Sequence, residues 1–261
     1  MKRRHATWLL AAGAAAALTG CASMESGNKQ RQVASVLSFL FPGSKDTVPA
    51  ASTQAAVIKV PFRIGVAFVP DTAQAEFRLS ETERQQLSAK VRDAFTNYPF
   101  ISRIETVPSL YLDAGGGFDN LDRVAALLNL DVVALISYDQ VQHADASGWS
   151  FLYWTGVGAY VIEGDRYEVL TAVECTVFDI RSRRLLMRAS GTSSNKGAGT
   201  LVSFSEKARE GRGKSFGEAM DKMIIALHGA VQSFRDTAPR DPLIKLILPP
   251  GYDPKAGTAP R

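Results

Sequence analysis

The sequence contains two thiols, and their surroundings predict different roles for them. Cys21 closes a leader with a cationic start, residues 1–4, and an apolar, alanine-rich run over residues 6–17. That run is shorter than the ~20 residues that a bilayer-spanning helix needs, which favours a cleaved leader. Cys175 lies in VECTV (173–177), which is typical of a buried strand where cysteine acts as a small hydrophobic residue. If Cys21 is modified, no disulfide within the chain is expected.

Residues Leu18 to Cys21 (LTGC) resemble the end of a bacterial lipoprotein signal peptide. The resemblance implies a signal peptide over residues 1–20, cleavage before Cys21, and acylation of the cysteine sulfur and new amino group by palmitate-type chains. Because Ala22 and Ser23 follow the cysteine, rather than an aspartate, we expect anchoring in the outer membrane through these chains. An ordinary secretory leader would need cleavage near Ala12-Gly13-Ala14, which would cut the apolar run in half.

A glycine-rich turn precedes a cluster of polar side chains. Three consecutive glycines at 115–117 lead to the candidate recognition residues Phe118, Asp119, Asn120 and Asp122. Two carboxylates and an amide beside a flexible turn have the chemistry of a cation or ligand site. The alternative is a turn followed by a helix with Asp119 or Asn120 as N-cap, and the helical pattern that follows favours this alternative.

An aromatic-rich stretch follows later in the chain. Its candidate recognition residues are Trp149, Tyr153 and Trp154. Aromatic side chains dominate the energetics of many protein interfaces. Strand alternation places Tyr153 and Trp154 on opposite faces, however, so one of these faces belongs to the core, and we expect Trp154 to be a core residue.

Other patterns predict no catalytic, metal or nucleotide site. Residues 208–215 (AREGRGKS) match a relaxed phosphate-loop pattern, but the charged, helix-prone residues 205–210 replace the buried strand that such a loop must follow. His143 and Asp145 have the spacing of two metal ligands on a strand, without a third. His228 lies late in a predicted helix, where a cationic imidazole is mildly favoured. We expect a non-enzymatic protein without a cofactor.

Charge argues against nucleic acid as a partner. Cleavage of the leader removes three of the 30 Lys and Arg and none of the 26 Asp and Glu, which lowers the formal charge from +4 to +1. Nucleic-acid binding needs many cations that neutralise phosphates, and the sequence has no stripe of Lys and Arg interleaved with aromatic residues. We therefore expect neither nucleic acid nor nucleotide as a partner.

Hydrophobic periodicity predicts the elements that position these residues. From residue 57 to 248 the signals follow the order β-α-β-α-β-β-β-α, which indicates one domain of the α+β or α/β class. We expect a mixed sheet with helices packed mainly on one face. This arrangement resembles the periplasmic domains of the curli-channel lipoprotein and the N-terminal domain of the Tol translocation protein. Residues 21–56 are predicted to be an acylated N-terminus, a short amphipathic segment and a tether, and residues 249–261 a disordered tail.

Three local patterns predict the backbone conformation of particular segments. Residues 80–83 (SETE) fit a capping box at the start of a helix. The turn at 181–183 joins two strands without a glycine, so Arg183 is expected to adopt a strained left-handed conformation. Residues 191–213 are polar and dotted with glycine, and they predict a long loop before a final helix over 215–234.

Four ordered motifs are similar to those of a known family. They are RIGVAFVP (63–70), GGFDNLD (116–122), DVVALISYDQVQ (131–142) and YWTGVGAYVIEG (153–164). With Gly191-Thr192-Ser193 and the LTGC segment, they resemble the rhombotarget lipoprotein family of the bacterial cell envelope. The resemblance implies association with a rhombosortase-type system and establishes no activity. Targets of that protease are expected to end in a glycine-rich, apolar and basic tail, and the last 13 residues of this chain, 249–261, contain no apolar span.

We therefore expect a non-enzymatic, outer-membrane-anchored lipoprotein whose periplasmic-type domain is a protein-interaction or assembly module for another envelope protein. Two alternatives remain open. One is an envelope hydrolase or metal-dependent enzyme that uses Asp119, Asp122 or His143. The other is an oligomerising structural subunit.

Overall fold

The computed structural model describes residues 28–43, 54–71, 78–146, 165–200 and 202–252. The fold divides into two compact units. Unit 1 takes its described residues from Met1–Gln30, Gln142–Glu168 and Lys196–Arg209, and unit 2 takes its residues from Arg31–Val141, Val169–Asn195 and Glu210–Arg261. The predicted boundaries of a single domain at 57 and 248 stay a prediction.

The described residues form the following strands and helices. The strands are β1 (Asn28–Ala34), β2 (Ala56–Lys59), β3 (Phe62–Phe68), β4 (Ile101–Thr106), β5 (Val132–Ala146), β6 (Asp165–Asp179), β7 (Arg184–Gly199) and β8 (Ile244–Ile247). The α-helices are α1 (Val36–Leu40), α2 (Glu81–Phe95), α3 (Gly117–Leu128) and α4 (Phe204–Thr237), and 3-10 turns cover Ser109–Tyr111 and Ala238–Arg240. From β3 to α4 the order is the predicted β-α-β-α-β-β-β-α, and the mixed α/β class is confirmed. The likeness to the curli-channel and Tol domains stays a prediction.

The main sheet has six strands. Its order is β4-β3-β5-β6-β7, and β1 also pairs with β5. β3 runs parallel to both of its neighbours, with Ile64 opposite Val132 and Val66 opposite Ala134 on β5. A separate two-stranded sheet pairs β2 with β8 in parallel, with Val57 opposite Lys245. The apolar start of β5, residues 132–136, is fully buried, as expected of a central strand flanked on both sides.

In unit 2 the two longest helices pack on one face of the main sheet. The Phe216 ring of α4 lies 6.3 Å from that of Phe68 on β3 and 5.1 Å from that of Tyr138 on β5. α2 joins this layer because Phe95 stacks on His228 of α4, with ring centres 4.3 Å apart. These contacts exclude water from one side of β3 and β5.

The shorter helices α1 and α3 pack on the opposite face. Phe118 of α3 makes edge-on contacts with Phe41, just after α1, and with Phe178 on β6, at ring distances of 6.0 and 5.8 Å. Val177 points towards the α2 and α4 side, where it lines a cavity with Val66. Because side chains alternate along a strand, its neighbour Phe178 faces the other side.

In unit 1, the structure describes short parts of the strands and the first turns of α4. The ring of Tyr167 on β6 meets Phe204 edge-on at 6.0 Å, and the Lys196 ammonium pairs with the Glu168 carboxylate at 3.1 Å. A Cβ at Gly197 would lie 2.4 Å from the Tyr167 hydroxyl, so a glycine is required for this ring to cross β7.

The predicted loop over residues 191–213 is wrong. β7 continues to Gly199 and α4 begins at Phe204, well before the predicted helix start at residue 215. The small and polar residues of this segment are accommodated under the helix: Gly191 is packed against α4, and the buried Ser193 hydroxyl donates to the Glu218 carboxylate at 2.6 Å. The polar composition of this segment therefore indicated a loop. Contacts with distant residues instead allow its polar side chains to lie within a strand and a helix.

Two local predictions are confirmed. The Ser80 hydroxyl accepts a hydrogen bond from the Glu83 amide at 3.2 Å, and the Glu83 carboxylate accepts from the Ser80 amide at 2.8 Å, which completes the capping box of α2. In the hairpin between β6 and β7, Arg183 has a φ of 57°, and the Asp179 carboxylate accepts from the Ser182 amide at 2.8 Å. The turn is therefore held by a side chain where a glycine would ordinarily relieve the backbone.

Candidate functional site

Unit 2 contains an apolar cavity of about 490 Å³. The main sheet lines it through Val66 and Ala134, the helices α2 and α4 line it through Val91 and Val231, and the small sheet lines it through Ile244 of β8. Small-molecule sites typically have volumes of ~300–1,000 Å³, predominantly apolar linings and a few polar groups that orient the ligand. The size and the composition of this cavity both fall in that class.

The charged side chains that line the cavity are cationic. Among the described lining residues these are Arg235, at the end of α4, and Lys245, on the exposed side of β8. The Arg235 guanidinium lies 5.9 Å from the centre of the Phe100 ring, and it donates to the Gln232 side chain at 3.4 Å. The cavity therefore combines apolar walls with two positively charged side chains.

An aromatic cluster with a histidine lies beside the cavity. His228 stacks on Phe95, which lines the cavity, and its Nδ1 shares a hydrogen bond of 2.7 Å with the Tyr98 hydroxyl. Burial lowers the pKa of His228 below its ordinary value and raises the pKa of Tyr98, against the lowering effects of Gln232 and Arg235. Both groups are therefore favoured in their neutral forms, because the surrounding rings solvate charge poorly.

The prediction of a cationic His228 near a helix end is wrong. α4 continues from His228 to Thr237, so the residue lies outside the last turn, where a helix dipole favours a cation. Desolvation against Phe95 and Tyr98 disfavours the imidazolium instead.

The candidate recognition residues at the start of α3 divide between the core and the surface. Phe118 and Asn120 are buried, at 7% and 4% exposure, whereas Asp119 and Asp122 are exposed. Both carboxylates accept from the Arg183 guanidinium, at 3.1 and 3.2 Å, and that guanidinium also lies 5.4 Å from the centre of the Phe118 ring. The exposed part of this cluster is thus a small charged patch that connects α3 to the β6–β7 hairpin.

The predicted N-cap role of Asp119 or Asn120 is wrong. Gly116 is the N-cap of α3 and makes no side-chain cap hydrogen bond, while Asp119 lies in the first turn, where its charge favours the helix dipole. The Asn120 amide closes the preceding turn: its oxygen accepts from the Asp113 amide at 3.1 Å and its nitrogen donates to the Tyr111 carbonyl at 3.0 Å. Asn120 is therefore a buried turn residue that satisfies two backbone groups.

Gly115 and Gly117 explain why the chain enters α3 in this way. Their φ values are 69° and 61°, which lie in the left-handed region that glycine adopts without strain. A Cβ at Gly117 would also lie 3.1 Å from the Leu40 carbonyl oxygen. The glycines thus serve backbone geometry and close packing against α1.

The other sequence candidates are separated in the structure or lie outside it. Cys21, Trp149, Tyr153 and Trp154 are outside the described residues. His143 is half-buried on β5 in unit 1. Across the described ranges no group of three or more His, Cys, Asp or Glu side chains is placed to hold a metal ion.

Two predictions about reactive groups are confirmed. Cys175 is fully buried in β6, and burial raises the pKa of its thiol to about 12, so it is an unreactive core residue. Residues 208–215 lie within α4 as continuous helix. Their backbone amides are therefore used in the helix and cannot converge on a phosphate, which contradicts a phosphate loop.

A buried carboxylate that the sequence did not point to lies just after β3. The Asp71 side chain is 1% exposed and accepts from the guanidinium groups of Arg78 and Arg84 and, at 2.7 Å, from the Tyr138 hydroxyl. Burial, with the hydrogen bond to Asp71, raises the pKa of Tyr138. The cluster joins α2 and β5 to the segments just after β3 and just before α2, and no spacing in the sequence relates its residues.

No helix in the described part of the chain is both long enough and apolar enough to cross a membrane.

Comparison with known proteins adds a weak likeness. No family model and no curated protein matches the chain. Among the solved structures that resemble it are a point-substituted form of the PelC dodecamer from Paraburkholderia phytofirmans, at 12% identity, and the PelC dodecamer from the same organism, at 13%. Each match covers 74% of this chain, and it covers 99% and 97% of those chains, with TM-scores of 0.25 and 0.23. Likeness at this level carries no argument about function.

Proposed function

We propose that the protein is a non-enzymatic lipoprotein that acyl chains on Cys21 anchor to the outer membrane, and that its α/β fold is an interaction or assembly module for another envelope protein. The observation that carries the proposal is the LTGC segment at the end of a cationic, alanine-rich leader. Each buried methylene contributes ~0.8 kcal/mol to membrane binding, so one chain binds marginally and two or three bind durably. Acylation at both the sulfur and the amino group would therefore give a stable anchor.

The state of the other thiol supports this proposal. Cys175 is fully buried between sheet and helix, and its raised pKa keeps it protonated. A disulfide between the two cysteines would require β6 to leave the core. Cys21 is therefore the thiol available for modification.

Of the predicted recognition residues that the structure describes, Asp119 and Asp122 are the two that a partner could reach, and they form a charged patch with Arg183. Its ion pairs are solvent-exposed, and such pairs typically contribute ~0–1 kcal/mol to stability. A partner that carries complementary charge could therefore replace them at little cost to the fold. By its resemblance to the rhombotarget lipoprotein family, we propose that this partner belongs to a rhombosortase-type system.

The anchor is tested with Cys21→Ser and the matched variant Cys175→Ala, each in the full chain. Cells are fed an alkyne analogue of palmitate, and their membranes are separated on a density gradient. We expect label and outer-membrane recovery for the wild type and Cys175→Ala, and unlabelled, released or unprocessed protein for Cys21→Ser. A correctly cleaved Cys21→Ser protein that stays in the membrane, or wild-type recovery with the inner membrane, contradicts the proposal.

The interaction role is tested by capture of partners from solubilised membranes with the acylated protein as bait. We expect the double variant Asp119→Ala/Asp122→Ala to lose the captured envelope protein while its melting temperature stays close to that of the wild type. Asp93→Ala is the matched control, because Asp93 is an exposed carboxylate of another helix, α2, where it pairs with Arg92. Equal capture by the wild type and both variants excludes this patch as the recognition surface.

A further inference from the structure

The apolar cavity of unit 2 has the properties of a ligand site that the proposed membrane anchor does not use. Folded interiors are packed so closely that voids larger than a water molecule are few. A cavity of about 490 Å³ bounded by two sheets and two helices is therefore suited to a ligand rather than to ordinary packing. Its predominantly apolar lining provides few of the polar partners that ordered water needs.

We propose that this cavity binds a long-chain fatty acid, with the hydrocarbon chain inside and the carboxylate at Lys245 and Arg235. A ligand in this environment needs an apolar body, because the lining residues other than Arg235 and Lys245 have aliphatic and aromatic side chains. It needs a negative head, because the charged residues among the described lining are both cations. The inference does not depend on acylation of Cys21.

The volume selects a ligand with one chain. A methylene occupies about as much space as a molecule of liquid water, ~30 Å³, so the cavity accommodates roughly 16 such groups. A phospholipid with two chains of that length would need twice the space. Each methylene that leaves water contributes to affinity, so a chain of this length gains far more from the cavity than a short one.

The position of Lys245 indicates where a ligand would enter the cavity. Lys245 and Leu248 both line the cavity and are both exposed, so the cavity opens to solvent beside β8. A carboxylate held at this opening keeps contact with water while it pairs with the Lys245 ammonium. This arrangement avoids the cost of burying a charge without a partner.

The test measures hexadecanoate binding to the full chain with Cys21→Ser, purified without detergent, by isothermal titration calorimetry. We expect saturable binding of one molecule, weaker binding of uncharged hexadecan-1-ol, and no detectable binding of butanoate. Lys245→Glu should weaken hexadecanoate binding about threefold to tenfold, because a favourable charge contact is replaced by a repulsive one. Lys214→Glu is the matched control: it makes the same change of charge at an exposed position of α4, 21 residues before Arg235 and outside the lining.

Two variants fill the cavity. Ala134→Phe places a ring in it from β5, and Val231→Phe does so from α4, which keeps the test decisive if one of them does not fold. We expect whichever folds, as judged by its melting curve, to lose hexadecanoate binding. Because both retain the N-terminal leader, they also control for binding of hexadecanoate to that segment.

Three results would overturn the proposal. The first is the absence of saturable hexadecanoate binding, including the case in which the protein binds only vesicles of dioleoylphosphatidylglycerol and therefore recognises a membrane surface. The second is unchanged affinity in the folded cavity-filling variant. The third is an equal effect of Lys245→Glu and Lys214→Glu, which would place the head group elsewhere.

Discussion

Gly191 is the position at which a single added methyl group should most clearly damage the fold. It lies on β7 where α4 crosses the sheet, and an added Cβ would lie 2.2 Å from the Ala219 carbonyl oxygen and 2.4 Å from the Met223 amide nitrogen. Ordinary contacts of a Cβ begin at about 3.4 Å. Both neighbouring atoms belong to helix backbone, so no side-chain rotation relieves the clash, and α4 has to move about 1 Å away from β7.

The cost of this movement follows from the packing beneath α4. Met220 and Met223 are fully buried there, so displacement of the helix loosens a close-packed layer. Overpacking a core typically costs ~1–3 kcal/mol, and a clash of backbone against backbone lies at the upper end, so we expect Gly191→Ala to destabilise by about 3 kcal/mol. For a chain of this size, that corresponds to a melting temperature lowered by roughly 6–12 °C.

The matched control is the same substitution in a helix. A Cβ at Gly217 of α4 meets nothing within 4 Å, so Gly217→Ala should stabilise by ~0.5–1 kcal/mol through the higher helix propensity of alanine. Both variants are compared with the wild type by circular-dichroism melting. A Gly191→Ala protein that melts within about 2 °C of the wild type would refute the close approach of β7 and α4.

Two further predictions concern the turn before α3 and the histidine beside the cavity. Asn120→Ala should destabilise the protein by ~1–3 kcal/mol in urea unfolding, because it leaves the Asp113 amide and the Tyr111 carbonyl without their side-chain partner. Asp119→Ala should cost under ~1 kcal/mol, because it removes only an exposed ion pair. A larger cost for Asp119→Ala than for Asn120→Ala would contradict the structural role of Asn120. The pKa of His228 is lower in the folded protein than its ordinary ~6.5, so the unfolded chain binds more protons at pH values between the two pKa values. The stability of the fold should therefore fall as the pH drops from about 7 to the folded pKa, and it should level off below that pKa. Subtracting the profile of His228→Leu isolates this contribution, and a difference that does not change with pH would exclude it.

The predictions that proved correct depend on local interactions. The capping box at Ser80 and Glu83 requires only a hydroxyl and a carboxylate three residues apart at a helix start, and it forms as expected. The positive φ of Arg183 follows from a tight hairpin without glycine. The order of strands and helices from β3 to α4 was similarly predictable, because each element carries its own apolar periodicity.

The predictions that failed depend on contacts between segments far apart in sequence. Ser193 and Gly191 look like loop residues until Glu218 accepts the serine hydroxyl and α4 packs against the glycine. The role of Asn120 was missed for a related reason. Its partners precede the helix and become available only because Gly115 and Gly117 bend the chain back. Composition describes the polarity of a residue but not whether tertiary structure supplies its partners.

The cavity was the feature that the sequence predicted least, because its lining residues come from many separate segments of the chain. Val66 and Ala134 share a face through the parallel register of β3 and β5, and the apolar character of both strands is visible in the sequence. The cationic lining residues have no such signal: Lys245 reaches the cavity because β8 pairs in parallel with β2, a strand far away in the sequence. Arg235 reaches it because α4 continues past His228 to Thr237. Both cations belong to the lining only if both long-range arrangements form, so affinity for an anionic head group would report directly on the pairing of β2 with β8.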